Sequence, residues 1–319
     1  MSVLVGIDEA GFGPILGPLV ASSCSFSLPS DLLTANLWEI LRKSIASQRK
    51  HIAGRLLITD SKKAYSRSLG IAQLERTVLT ILKCLGKEPS TLKELIEILC
   101  PESFERLSEY PWHKDMNARE LSQNEGDRKI AAAVLSKDLR LNGMSLLDIR
   151  TCCLDVARYN EMVDAVKNKS SVLFTAISQL IKKDYDNYGD QDLQIIIDRQ
   201  GGRTRYRPNL QKMFPNMELK ILRESSAVSS YELSAGKKMM RLHFVVGADN
   251  KYMPVSLASM TSKYVRELLI SNMNQYFTSF DSDLKPTAGY WKDGLRFIND
   301  IKTCLPHVHY ETRQLIRSR

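Results

Sequence analysis

Three short apolar runs in this chain end in carboxylates: VLVGID at residues 3–8, with Glu9 following, DLQIIID at 192–198, and RLHFVVGAD at 241–249. A near-continuous apolar run of this length suits a strand covered on both faces better than one with a wet face. LGPLVASSCSF (16–26) reads as the hairpin partner of the first run across a glycine-rich turn. LLIT (56–59), SLLDIRTCCLDV (145–156) and MELKILRE (217–224) are further strand candidates. Between the strands lie stretches with apolar residues at helical spacing: LGIAQLERTVLTILKCL (69–85), NEMVDAVKNKSSVLFTAISQLIKK (160–183), expected as one long helix, and VSLASMTSKYVRELLISNMNQYF (255–277), with Pro254 tolerated near its start. Asp60 or Ser61 is a plausible N-cap for the chain that follows LLIT. Strands alternating with long helices predict an α/β fold, a mixed sheet flanked by helices.

Residues 86–142 change character. They are acidic, carry Pro89, Pro101 and Pro111, and show short helical patterns such as LKELIEIL, so they are expected to form an inserted, mostly helical subdomain. The catalytic domain would then comprise 1–85 and 143–319. Tyr110, Pro111 and Trp112 in the insert are expected as core aromatics, with docking of a partner as the other reading. The chain's net charge of +9 is unevenly spread. Residues 86–128 hold six Lys/Arg against ten Asp/Glu, a net −4 that leaves +13 on the rest. A positive field of that size attracts polyanions. No run is long and apolar enough to cross a bilayer, and MSVLVGIDEAG lacks the basic start and cleavage site of a secretory leader. The six cysteines have no CxxC spacing and the five histidines no zinc spacing, so reduced thiols in a cytoplasmic protein are expected.

The carboxylates carry the chemistry. Asp8 with Glu9, Asp198 and Asp249 would place hard oxygen ligands at one sheet edge, which in outline is a magnesium or manganese site. Paired ions roughly 4 Å apart can stabilise both the attacking and the leaving oxygen of a phosphodiester. Neighbours on a strand face opposite sides, so Glu9 must lie where the chain begins to turn. The residue pattern leaves a plain alternative open: loops are polar and aspartate favours turns, so acids mark strand ends in many proteins. Just after Asp198, RQGGRTRYRPNLQK (199–212) has five basic residues and no acid, and Arg203 and Arg205 beside Tyr206 suit backbone binding and base stacking.

GIDEAGFGPILGPLV (6–20) resembles the opening signature of type 2 ribonuclease H, in which DEAGRGP is followed by a second GP. DSKK (60–63) resembles that family's second motif, GADNKYMPVSLASMTSKYVRE (247–267) its last acidic motif and helix, and KPTAGY (285–290) its late glycine–tyrosine motif. The resemblance implies a ribonuclease H-like sheet and an endonuclease that cuts the RNA strand of RNA/DNA hybrids with two Mg2+ or Mn2+ ions, leaving 5′ phosphate and 3′ hydroxyl ends. It implies Asp8, Glu9, Asp198 and Asp249 as the metal-binding carboxylates, and Tyr290 as the tyrosine that packs against a sugar at an RNA to DNA junction, so DNA with embedded ribonucleotides is a second implied partner. Gly11, Phe12, Gly13, Ser61, Lys62, Lys63, Lys263 and Arg266 fall in matched motifs as nucleic-acid contacts. One departure is Phe12, where the family has arginine: it removes a charge-assisted phosphate contact. That change keeps two alternatives in view: a noncatalytic RNA/DNA-binding paralogue, and a nuclease for another structured nucleic acid.

Overall fold

The computed structural model describes residues 1–66, 68–121 and 124–318. Among these residues the strands are β1 (Ser2–Ala10), β2 (Leu19–Leu28), β3 (Ile45–Ala46), β4 (Leu56–Leu57), β5 (Ser145–Leu154), β6 (Asp192–Asp198), β7 (Glu218–Glu224), β8 (Val228–Ala235) and β9 (Lys238–Val245). Seven form one mixed sheet in the order β5-β2-β1-β6-β9-β8-β7; β3 and β4 pair apart from it. β1 and β2 are the expected antiparallel hairpin. β6 lies parallel to β1 and β9 parallel to β6, so three strands point the same way through the middle of the sheet.

The period-two alternation of β1 explains its continuous apolar sequence. Val3, Val5 and Ile7 join one core with Leu173, Ile177 and Ile181 of the Lys169–Tyr188 helix. Leu4 faces the other core, with Tyr264, Val265 and Leu268 of the Met253–Thr278 helix. Both faces are therefore dry. At Gly6 the second helix comes so close that a Cβ would lie 2.2 Å from the carbonyl carbon of Pro254, so only glycine lets the helix cross β1 there. This crossing fixes the chain just after Asp249 against the end of β1.

Several expectations need correction. The stretch 160–183 is two helices, Val156–Val166 and Lys169–Tyr188, because Lys167 adopts a left-handed conformation (φ 49°) and Asn168 caps the second helix by accepting from the backbone N–H groups of Ser170 and Ser171. The polar segment before β9 contains a full strand, β8, whose alternation of Ser with Tyr231 and Leu233 conceals it. LLIT contributes only the two-residue β4.

Residues 86–142 are largely helical, as expected, with helices Leu92–Leu99, Pro101–Ser108 and Glu125–Leu141. Their apolar side chains Leu95, Ile96, Leu99, Leu135 and Leu139 join the same cluster as Val20, Phe26 and Leu268. Tyr110 and Trp112 are buried, Tyr110 against Trp112 and Trp112 against Phe277, in a third cluster with Phe297 and Leu305. All six cysteines are free, and no described helix is long and apolar enough to cross a membrane.

Candidate active site

The parallel register of β1 and β6 ends on the pair Ile7 and Ile197, which sets Asp8 beside Asp198 at the carboxyl ends of neighbouring strands. Beyond β9 the chain turns through Gly247 (φ 60°), and the Ala248 N–H donates to Asp198 Oδ1 at 2.7 Å. That bond holds the short turn Ala248–Asn250, and with it Asp249, against the end of β6. Asp60, the cap of the Ser61–Ala64 turn, accepts from the Lys62 N–H at 2.9 Å.

Electrostatics shows how crowded this edge is. Asp8 is buried at 7% exposure and its carboxyl is held well above the ordinary aspartate range by burial, then by the charges of Glu9 and Asp198; hydrogen bonds from Ser259 and from the Glu9 N–H (2.8 Å) oppose the shift. Glu9 is pushed up to about 7 by burial and then by Asp198, with Lys62 among the influences pulling it back. Asp198 rises to about 6 through burial, and Asp249 adds to the shift while the Ala248 N–H opposes it. Asp249 is raised by burial and then by Asp60. Asp198 thus presses on Asp8 and Glu9, Asp249 presses on Asp198, and Lys62 pulls Glu9, Asp198 and Asp249 the other way. The sequence marks Asp60 as a cap and as part of DSKK; its nearness to Asp249 is set by the fold.

The donor set suits a hard divalent cation, since it offers carboxylate oxygens in mutual repulsion. Among the described residues, however, no three His, Cys, Asp or Glu side chains are gathered into a ready-made metal cage. The backbone brings the acids to one edge; their side chains stop short of converging.

Around this edge the other expected contacts divide. Lys62 and Lys63 are exposed, and Lys63 Nζ donates to Asn250 Oδ1 at 2.6 Å. Ser61 is buried, accepting from the Ser259 hydroxyl at 3.1 Å. Lys263 pairs with Glu267 at 2.8 Å and, with Lys62, Tyr65 and Tyr290, lines a cavity of about 450 Å³; Tyr290 is 50% exposed. A second cavity, of about 810 Å³, opens beside Asp249, Lys63 and Trp38. Gly11 and Phe12 are partly exposed and Gly13 is open.

Two expected contacts are corrected. Arg266 is wholly buried: it bonds the carbonyls of Leu16 and Ala288 and pairs with Glu267, so it braces the glycine turn from beneath and cannot touch a phosphate. Tyr206 is also fully buried, stacked on Phe244 at 3.6 Å between ring centroids, which removes it as a base platform. Arg205 remains exposed; Arg203 lies over Phe174 and Tyr206. Gln200, two residues after Asp198, was not singled out by sequence: it is buried, and neither amide atom has a partner among the described residues.

Comparison with known proteins bears on this geometry. No family model matches the chain. A curated ribonuclease HII from Gluconobacter oxydans (strain 621H) is 32% identical over 75 residues, 23% of this chain and 36% of the relative. The chain is similar to ribonuclease HII. The aligned stretch spans about a third of that relative's length. Among solved structures, the ribonuclease HII in the PCNA:RNase HII complex from Archaeoglobus fulgidus aligns over 99% of this chain and 94% of its own at 15% identity and a TM-score of 0.44. Ribonuclease H2 from Pyrococcus horikoshii OT3 aligns over 98% and 92% at 14% identity and a TM-score of 0.47. At these scores the structural likeness carries no inference about chemistry.

Proposed function

We propose that this chain is a metal-dependent ribonuclease H that hydrolyses the RNA strand of RNA/DNA hybrids and leaves 5′ phosphate and 3′ hydroxyl ends. What supports the reading is that the parallel register of β1 and β6 and the turn after β9 bring the chain at Asp8, Glu9, Asp198 and Asp249, from three separate segments, to one sheet edge. Keeping four acids this crowded is unfavourable unless a cation joins them. Mg2+ or Mn2+, held by these four carboxylates, would supply a Lewis acid and a hydroxide nucleophile.

The chain's own residues do the rest. The Glu9 N–H orients the Asp8 carboxylate, and the Ala248 N–H fixes that of Asp198. Lys62 and Lys63, exposed beside the acids, neutralise phosphates of the bound duplex, and Arg205 does so next to β6. The exposed Tyr290 ring, on the wall of the 450 Å³ cavity, offers a flat face to a sugar. Residues 86–142 are read as an insert in this catalytic domain. The free cysteines suit a reducing cytoplasm.

The test is cleavage of two labelled substrates, a full RNA/DNA hybrid and a DNA duplex with one ribonucleotide, with either metal. Cutting of the hybrid is expected. The ratio between substrates reports what Phe12 has changed. If both duplexes bind and neither is cut with either metal, the chain is a noncatalytic hybrid-binding protein and the nuclease reading falls.

A further inference from the structure

Tyr290 lines the tyrosine cavity, and its neighbour Trp291 lines another, smaller one, of about 240 Å³. Its walls include Phe12 and Pro14 of the glycine turn, Tyr159, Lys169, Trp291 and Arg317. Two cations therefore meet at the position where the family-like turn has lost its arginine.

Arg317 comes from the far end of the chain. Its backbone N–H donates to the Ile15 carbonyl at 2.9 Å, its Nε to the Gly17 carbonyl at 2.7 Å, and Nη1 to the Gly11 carbonyl. Its guanidinium lies 4.9 Å from the Tyr159 ring centroid. Although the residue is only 5% exposed, its Nη2 has no hydrogen-bond partner among the described residues. A buried guanidinium without a full set of acceptors is costly, and its charge beside the cavity favours an anion there.

Lys169 is exposed. Its Nζ sits 5.3 Å above the Phe12 ring, and it makes no ion pair among the described residues. The amide groups at the start of its helix are already taken by Asn168, so it is the side chain that is free to reach an anion. Trp291, 41% exposed, adds a flat aromatic wall.

We propose that this cavity is a phosphate subsite for the nucleic-acid strand that passes Tyr290, in which Lys169 and Arg317 supply the positive charge that position 12 lacks. The inference rests on the nuclease reading and deepens it. Phe12 keeps a role as the surface on which the Lys169 ammonium rests, since an aromatic face attracts a cation. The glycine turn thus recovers its phosphate contact from two distant segments.

The experiment measures affinity for a fluorescent RNA/DNA hybrid in EDTA, where no cleavage occurs, across a salt series. Wild type is compared with Lys169→Ala, Lys169→Arg, Trp291→Ala and, as a control at the far end of the same helix, Lys182→Ala. Lys169→Ala is expected to weaken binding about 3- to 10-fold and to flatten the salt dependence by about 0.9 in log–log slope, the loss of one phosphate contact. Lys169→Arg should restore the slope, Trp291→Ala should weaken binding at unchanged slope, and Lys182→Ala should match wild type. Wild-type affinity and slope for Lys169→Ala, with hybrid still tightly bound, would overturn the subsite and leave the nuclease reading standing. Absence of hybrid binding by the wild type would overturn both.

Discussion

Two charge clusters beside the end of β1 are built on opposite plans. At the sheet edge, Asp8, Glu9 and Asp198 crowd together with raised pKa values. Beneath the glycine turn that follows, Arg266 and Arg317 are at least as deeply buried, yet both point into backbone carbonyls: Leu16 and Ala288 for the first, Gly11 and Gly17 for the second. The arginines are held by the fold and hold the turn in return. The acids are held in place by their backbones and left unbalanced in charge. The difference separates positioning from chemistry: guanidinium groups bonded into backbone carbonyls brace a turn, whereas acids that raise one another's pKa are ready for a cation.

The sharpest way to break this contrast is to remove a brace. Arg317→Met, similar in length and without charge, leaves buried carbonyls unsatisfied and should destabilise the protein by about 3 kcal/mol in urea denaturation. A cost near zero would mean that the turn stands without it. The opposite sign is expected at the edge. In the absence of divalent metal, Asp8→Asn removes one of the repelling charges and should raise stability by about 1 kcal/mol, read as a higher thermal midpoint; a lower midpoint would show that the acids are already balanced.

Asp184 distinguishes burial from crowding. It is fully buried in the Lys169–Tyr188 helix, far along the chain from the edge, accepts from Ser25 Oγ at 3.1 Å, and is pushed up to about 7, chiefly by burial. Its folded pKa exceeds the unfolded value near 4, so the folded state holds the proton more tightly. The stability it contributes is full below about pH 4 and declines as pH rises towards 7. Asp184→Asn should remove that slope: relative to wild type, the variant gains on the order of 1 kcal/mol between pH 5 and 8. An unchanged difference across that range would refute the assignment. The smallest effect is expected at an exposed pair. Lys182 and Asp186 lie 2.6 Å apart on the same helix, both well exposed, and Lys182→Ala should change stability by less than about 0.5 kcal/mol.

Much of this was legible in the sequence because the relevant physics is local. The hairpin around the glycine turn, the buried strand DLQIIID and the Met253–Thr278 helix follow from periodicity, and the acids at the strand ends could be named from the ends of apolar runs. What stayed hidden depends on distant partners. A left-handed Lys167 breaks a stretch whose apolar spacing runs on without interruption. Arg266 looks like any helix-surface cation until Leu16 and Ala288 are seen around it. Arg317 lies 300 residues from the Gly17 carbonyl it bonds, and no local pattern couples the two. The change of character at 86–142 is visible in acidity and prolines, but the sharing of one core with the rest of the chain is not, because helical periodicity shows that a face is buried and does not show against what.

In the proposed nuclease the four carboxylates act as one metal-dependent unit separable from substrate binding. The most direct test measures hybrid affinity and hybrid cleavage side by side for wild type, Asp8→Asn and Asp249→Asn with Mg2+ or Mn2+. The expected result is near-wild-type affinity for both variants with cleavage reduced by about a thousandfold or more, equivalent to at least about 4 kcal/mol of lost transition-state stabilisation. Cleavage at the wild-type rate by either variant would contradict the claim.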